Sequence, residues 1–143
     1  MKRYNPFPNI KRYSIQLMST NIFSLNHASL IVANLDISLV FYREILCLQQ
    51  VDRPDLGFPG AWFQIGNQQI HLLELENPDP VTGRPEHGGR DRHVALNCLA
   101  LAPVQDALNK AGIVYTMSKS GRRALFCRDP DGNAIEIIER HNI

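Results

Sequence analysis

Nowhere in the 143 residues does an uninterrupted apolar run approach the roughly 20 residues that a membrane-spanning helix needs. Charge of one sign is not in excess either. A net charge of +1 offers no electrostatic basis for binding nucleic acid or an anionic membrane surface. Cysteine is scarce: three residues, odd in number and far apart, exclude a disulfide frame and a zinc knot. Cys47, Cys98 and Cys127 sit among aliphatics and read as small buried hydrophobes in a reducing cytosol. These absences leave a cytoplasmic protein whose partner is a small molecule.

What is present is ordinary for one globular domain, with 44% hydrophobic and 20% charged residues. A chain of this length buries roughly two thirds of its unfolded surface. Residues 1–20, "MKRYNPFPNIKRYSIQLMST", are basic and aromatic with two prolines and no apolar core long enough for a signal peptide. They read as a flexible N-terminal extension, and Met18 makes a natural beginning for a domain over residues 21–143.

That domain contains itself twice. "HASLIVANL" starts at His27 and "HVALNCLAL" at His93, 66 residues later. "GNQQIHLLELE" carries His71 and "DGNAIEIIER" carries Glu136, 65 residues apart, each after a Gly-Asn turn. The two copies, residues 22–76 and 92–141, are joined by the Pro/Gly-rich "ENPDPVTGRPEHGGRDR", read as a linker or mobile loop. In each copy an alternating strand is followed by an amphipathic helix and three more strands. The first helix begins at Asp36 as N-cap, and the second spans about Pro103 to Lys110 with Gly112 at its C-terminal end. The order is β-α-β-β-β, twice, which makes an α+β fold.

Strand periodicity assigns faces. If Ile70 and Leu72 meet the helix, then Gln69, His71 and Leu73 point away. If Ile135 and Ile137 meet it, Ala134, Glu136 and Ile138 point away, and Val94, Leu96 and Cys98 inward leaves His93, Ala95 and Asn97 outward. The polar interruptions all avoid the helix layer. They converge if the two sheets curl toward one cleft.

"NHASLIVANLDISLVFYREILCL", "QIHLLELENP", "RHVALNC" and "DPDGNAIEI" resemble the vicinal oxygen chelate superfamily. It contains glyoxalase I, methylmalonyl-CoA epimerase, fosfomycin-resistance proteins, extradiol dioxygenases and bleomycin-binding proteins. The likeness runs from about Ile22 to His141 and is nearest the glyoxalase branch. It implies two βαβββ modules forming a cup of curved mixed sheets, with helices outside, around one divalent metal. By position, His27, His93 and Glu136 match the ligands of the first, fifth and eighth strands. His71 falls at the fourth-strand position, where glyoxalases and epimerases usually carry Glu or Gln, so only one carboxylate remains. Three imidazoles and one carboxylate suit Zn, Ni, Co, Fe or Mn.

The implied activity is that of a metal-dependent lyase or isomerase on a small oxygenated substrate, such as a glutathione hemithioacetal, with Glu136 as general base. An Fe(II) extradiol dioxygenase and an antibiotic-binding protein are the alternatives. Trp62 lines either the substrate cup or the core, and Gln69 either orients a ligand or touches substrate. "SKSGRR", with Lys119 and Arg122, is either a solvated hairpin or a clamp for a substrate carboxylate or phosphate; Arg53, Arg90 and Arg92 are weaker candidates for that task. His87 and His141 read as solvated. The resemblance also implies a homodimer with sites at the subunit interface, each taking His27 and His71 from one chain and His93 and Glu136 from the other.

Overall fold

Alternating strands and two short helices appear where the periodicity places them. The computed structural model describes residues 22–141. The extension read over residues 1–20 lies outside the described residues. The first module contains β1 (His27–Val32), α1 (Leu35–Leu39) running into a π-helical segment (Val40–Ile45), β2 (Gln49–Val51), β3 (Gly60–Ile65) and β4 (Gln68–Glu74). After a 3-10 turn (Gly88–Arg90), the second contains β5 (His93–Cys98), α2 (Leu101–Lys110), β6 (Tyr115–Met117), β7 (Ala124–Arg128) and β8 (Ala134–Glu139). Each module makes a four-stranded mixed sheet, ordered β1-β4-β3-β2 and β5-β8-β7-β6. β1 pairs parallel with β4 and β5 with β8, while the remaining pairs are antiparallel. Two βαβββ modules are therefore observed, as the α+β reading required. Among the described residues no helix is long and apolar enough to cross a membrane.

The helix starts correct one expectation. Asn34, not Asp36, is the N-cap of α1: its backbone is extended and its Oδ1 accepts from the Ile37 N–H at 3.0 Å. Asp36 lies inside the first turn, where its charge favours the helix dipole instead. Both helices also receive a carboxylate from the far end of their own sheet. Glu74 Oε2 accepts from the Leu35 N–H at 2.6 Å, and Glu139 Oε2 from the Leu101 N–H at 2.9 Å. That contact starts α2 at Leu101 although its N-cap residue, Ala100, has no side-chain acceptor. Pro103 then sits in the first turn, where a missing N–H costs nothing.

Two outcomes follow from these caps. Glu74→Ala should destabilise the protein by about 1 kcal/mol, measured by urea unfolding. The Glu139 carboxyl is held below its ordinary pKa, chiefly by hydrogen bonds from Arg123 and then by the Leu101 N–H. A depressed folded-state pKa stabilises fully above the unfolded value, and this is lost as pH falls through the folded one. Wild type should therefore lose Tm on acidification below the ordinary carboxylate range more steeply than Glu139→Gln does.

The π-helical segment is closed by the Leu46 N–H on the Phe41 carbonyl at 2.9 Å. Its wider turn puts the adjacent Phe41 and Tyr42 together in the core. Both modules contribute to that core, Val32, Phe63, Ile70 and Leu72 from the first and Leu101, Leu108, Leu125 and Ile135 from the second. Polar contacts reinforce the union. Tyr42 donates its hydroxyl to Asp129 at 2.8 Å, Asn133 donates to the Ile31 carbonyl at 3.1 Å, and Asp131 accepts from the Ala33 N–H at 2.9 Å. Burial drives the Asp129 carboxyl upward and the Tyr42 hydroxyl well above its usual value, so Tyr42 keeps the proton it donates.

Three smaller readings are refined. The linker is tied down: Arg84 forks onto Asp91 at 2.8 and 2.9 Å, and Arg128 donates to the Pro85 carbonyl at 2.6 Å. Cys127 is buried, which pushes its thiol up to about 12, but Cys47 is exposed, contrary to its reading as a buried hydrophobe. Cys47 takes φ 54° past the first helix, the conformation that Gly112 adopts at φ 68° past the second. His87 is engaged as well, accepting from the Gly89 N–H at 3.0 Å through Nδ1, and His141 lies 3.2 Å from Glu139.

Candidate active site

The first module presents a ladder of rings on the face away from its helix. His27 is opposite Gln69 across β1 and β4, while His71 is opposite Ser29 on one side and Trp62 on the other. His27 and His71 stack with centroids 4.1 Å apart, and His71 and Trp62 with centroids 4.2 Å apart. A chain of amides sets the His71 tautomer. The Gln64 Nε2 donates to the Gly66 and Gln68 carbonyls at 2.8 and 3.1 Å, so its Oε1 must be the atom that accepts from Gln69 Nε2 at 2.8 Å. Gln69 Oε1 is thereby turned to His71 Nε2, which donates to it at 2.8 Å. His71 keeps a lone pair on Nδ1. Burial, and then the His27 and Arg53 charges, lower its pKa and hold it neutral.

The second module repeats the register. His93 is opposite Ala134 and Glu136 is opposite Ala95, the same two-residue offset that separates His27 from His71. His93 Nδ1 donates to the Asp91 carbonyl at 2.9 Å, and its Nε2 lies 3.3 Å from Glu136 Oε2. Asp91 is well anchored: hydrogen bonds from Arg84 first, then from Arg128, hold its carboxyl at about 2. Glu136 is 2% exposed, and Arg122 Nη2 donates to its Oε1 at 3.1 Å.

In each of the three imidazoles one ring nitrogen is directed to an oxygen acceptor; the other has no partner among the described residues in His27 and His71 and is turned to Glu136 in His93. For His27 the acceptor is Asn26 Oδ1, 2.8 Å from Nδ1. Imidazoles oriented in this way suit a divalent metal, and the carboxylate completes a set of three nitrogens and one oxygen. The donor chemistry therefore fits a divalent cation. Within one chain, however, the four groups do not converge. Among the described residues no three His, Cys, Asp or Glu side chains gather where one ion could be held. Within the chain the donors lie as two pairs, His27 with His71 and His93 with Glu136. The reason is topological: parallel pairing of β1 with β4 and of β5 with β8 brings ligands together only within a module. The modules join through helices and the 129–133 loop, leaving His27, Ser29, His93, Ala95 and Asn97 exposed.

The other expected residues fall on both sides of the site. Trp62 and Gln69 belong to the His71 ladder, Trp62 as a ring wall and Gln69 as the group that orients His71. Arg122 leaves the basic turn to meet Glu136. Lys119 is exposed and makes no hydrogen bond or ion pair among the described residues. Asn26 and Asp91 went unnoticed in the sequence, because a hydrogen bond to a ring nitrogen has no signature beyond a polar neighbour one or two positions away. If Gln69 sets the His71 tautomer, Gln69→Leu should weaken metal binding about 10–100-fold, measured by competition with a chromogenic chelator.

A model of the Glyoxalase/Bleomycin resistance protein/Dioxygenase superfamily matches residues 24–137. The chain is 32% identical over 123 residues to Glyoxylase I 4 of Arabidopsis thaliana, covering 82% of this chain and 71% of that protein. In fold it is similar to a protein from Bacillus anthracis described as of the glyoxalase family, with TM-score 0.70, 24% identity and coverage of 86% and 99% of the two chains. The fosfomycin resistance protein FosX from Listeria monocytogenes is similar with TM-score 0.66 and 17% identity over 82% and 91% of the two chains. A mutant of that protein has a structure in complex with Mn(II).

Proposed function

The chain belongs to the Glyoxalase/Bleomycin resistance protein/Dioxygenase superfamily, and we propose that it is a metal-dependent, glyoxalase-like lyase or isomerase of the cytoplasm. Its substrate is a small oxygenated molecule of the hemithioacetal type. The observation that carries this reading is that three imidazoles, each with one ring nitrogen fixed on an oxygen, stand with one buried carboxylate at corresponding strand positions of the two modules. Three free cysteines accord with a reducing compartment.

His27, His71, His93 and Glu136 would hold the ion, with Zn, Ni, Co, Fe and Mn all compatible with the donor set. Because one chain supplies two half-sites on exposed faces, the reading includes a homodimer in which His27 and His71 of one subunit meet His93 and Glu136 of the other. A bound divalent ion polarises a carbonyl or hydroxyl oxygen and acidifies the neighbouring C–H. Glu136 accepts that proton at its carboxylate, which Arg122 Nη2 holds in place at 3.1 Å. Trp62, stacked on His71, gives the bound molecule an aromatic flank beside the ion.

The test is elemental analysis of the purified protein, followed by isomerisation assays on a panel of glutathione hemithioacetals. Stoichiometric metal and metal-dependent turnover support the reading. Protein without metal, or metal-loaded protein inactive on the whole panel, overturns it. His27, His93 and Glu136 also make a two-histidine, one-carboxylate set, so oxygen uptake with catechols and Fe(II) is the arm that would point to a dioxygenase. Against that outcome, His71 takes one of the positions that catecholate and oxygen need.

A further inference from the structure

Next to the ring ladder the first module holds a cation that nothing answers. Arg53 follows β2 and comes opposite Gly60 of β3, continuing the pairing of Val51 with Trp62. Its guanidinium lies flat against the strand there. A Cβ on Gly60 would come within 3.0 Å of the Arg53 Nε and 3.2 Å of its Cζ, besides colliding with the Leu72 carbonyl. The Phe58 ring lies 4.9 Å from the guanidinium carbon, and Nη1 donates to the Pro54 carbonyl at 3.4 Å. These contacts hold the group in place without neutralising it.

Nε and Nη2, by contrast, are buried and have no partner among the described residues. These two nitrogens form the edge of the guanidinium that grips two oxygens of one oxyanion side by side. Trp62 stands two residues further along β3 on the same face, about 6.8 Å away at the rise of a strand. Its Nε1 is likewise buried without a partner. Three N–H donors and a full positive charge thus share one neighbourhood, and buried donors without acceptors are costly to leave unmade. Arg53 lines an open cleft of about 800 Å³ together with Asp52 and Asp55, yet neither pairs with it, and Asp55 is engaged by the Gly57 N–H at 2.8 Å. Trp62 stacks on His71 with centroids 4.2 Å apart, which sets these donors beside the half-site.

We propose that Arg53 and the Trp62 indole N–H form an oxyanion receptor beside the His27–His71 half-site, which takes a carboxylate, phosphate or phosphonate group of the bound molecule. Naming the substrate as an anion deepens the functional reading above and rests on it; the receptor itself is tested without metal or turnover. Trp62 is the one tryptophan of the chain and therefore a local reporter. EDTA-treated full-length protein is titrated with acetate, inorganic phosphate and methylphosphonate at constant ionic strength, with chloride as control, while tryptophan fluorescence is followed.

A saturable response to one or more of the three, absent with chloride, is expected, and the preferred anion separates a carboxylate from a phosphorus oxyanion. Arg53→Gln should weaken that response at least tenfold, with circular dichroism confirming the fold. Arg53→Lys, which keeps the charge and loses the fork, should fall between. Failure of wild type to respond, or an undiminished response in folded Arg53→Gln or Arg53→Lys, overturns the proposal. Because the titration contains no metal and no turnover, that failure leaves the metal content and isomerase results standing, and the converse holds as well.

Discussion

Turnover should fall about 10²–10⁴-fold in Glu136→Gln, the range contributed by a positioned general base. The substitution keeps the shape of a side chain that is 2% exposed and removes its charge and proton affinity. Arg122, which loses its ionic partner, is half exposed and is rehydrated at little cost, so the protein should remain folded. Bound metal is the readout independent of activity. With one of four donors neutralised, the metal retained after dialysis should drop by more than the about 10–100-fold expected for losing an orienting partner such as Gln69. Unchanged metal affinity in Glu136→Gln would remove this carboxylate from the ligand set, and unchanged turnover would remove it from the chemistry.

A larger qualitative effect is expected from mixing two inactive proteins. His27→Ala damages the first-module half-site and Glu136→Gln the second, so each variant alone should be inactive. In a homodimer whose sites each draw one half-site from either chain, a mixed dimer concentrates both substitutions in one site and leaves the other intact. Random pairing of equal amounts makes half of the dimers mixed, so about a quarter of all sites should be restored. Coexpression with two affinity tags isolates the mixed dimers, and metal and activity measurements on that doubly purified fraction should find half of its sites restored. Were each site built within one chain, every site would still lack one donor and nothing would be recovered.

The difference between these outcomes marks the limit of what local pattern conveys. The 66- and 65-residue spacings of the ligands recur in the structure in parts that no one need have sought. Leu35 and Leu101 are the capped helix starts, Glu74 and Glu139 their capping carboxylates, and Cys47 and Gly112 the left-handed residues after the helices. Strand faces were legible because side-chain direction alternates residue by residue and needs no knowledge of the partner strand. The first N-cap was misplaced because Asn34 and Asp36 are both good caps by residue type. Only the extended backbone at Asn34 decides between them.

By itself the chain determined which residue types stand on which face of two similar modules, since strand period, turn chemistry and internal repetition are properties of neighbours in sequence. Tertiary structure alone decided which oxygen fixes each imidazole, and that the Arg53 and Trp62 donors are buried without acceptors. Those outcomes depend on groups brought together through space, by sheet register and by the packing of one module on the other. No spacing along a chain can encode whether a hydrogen bond across that packing is made or left open.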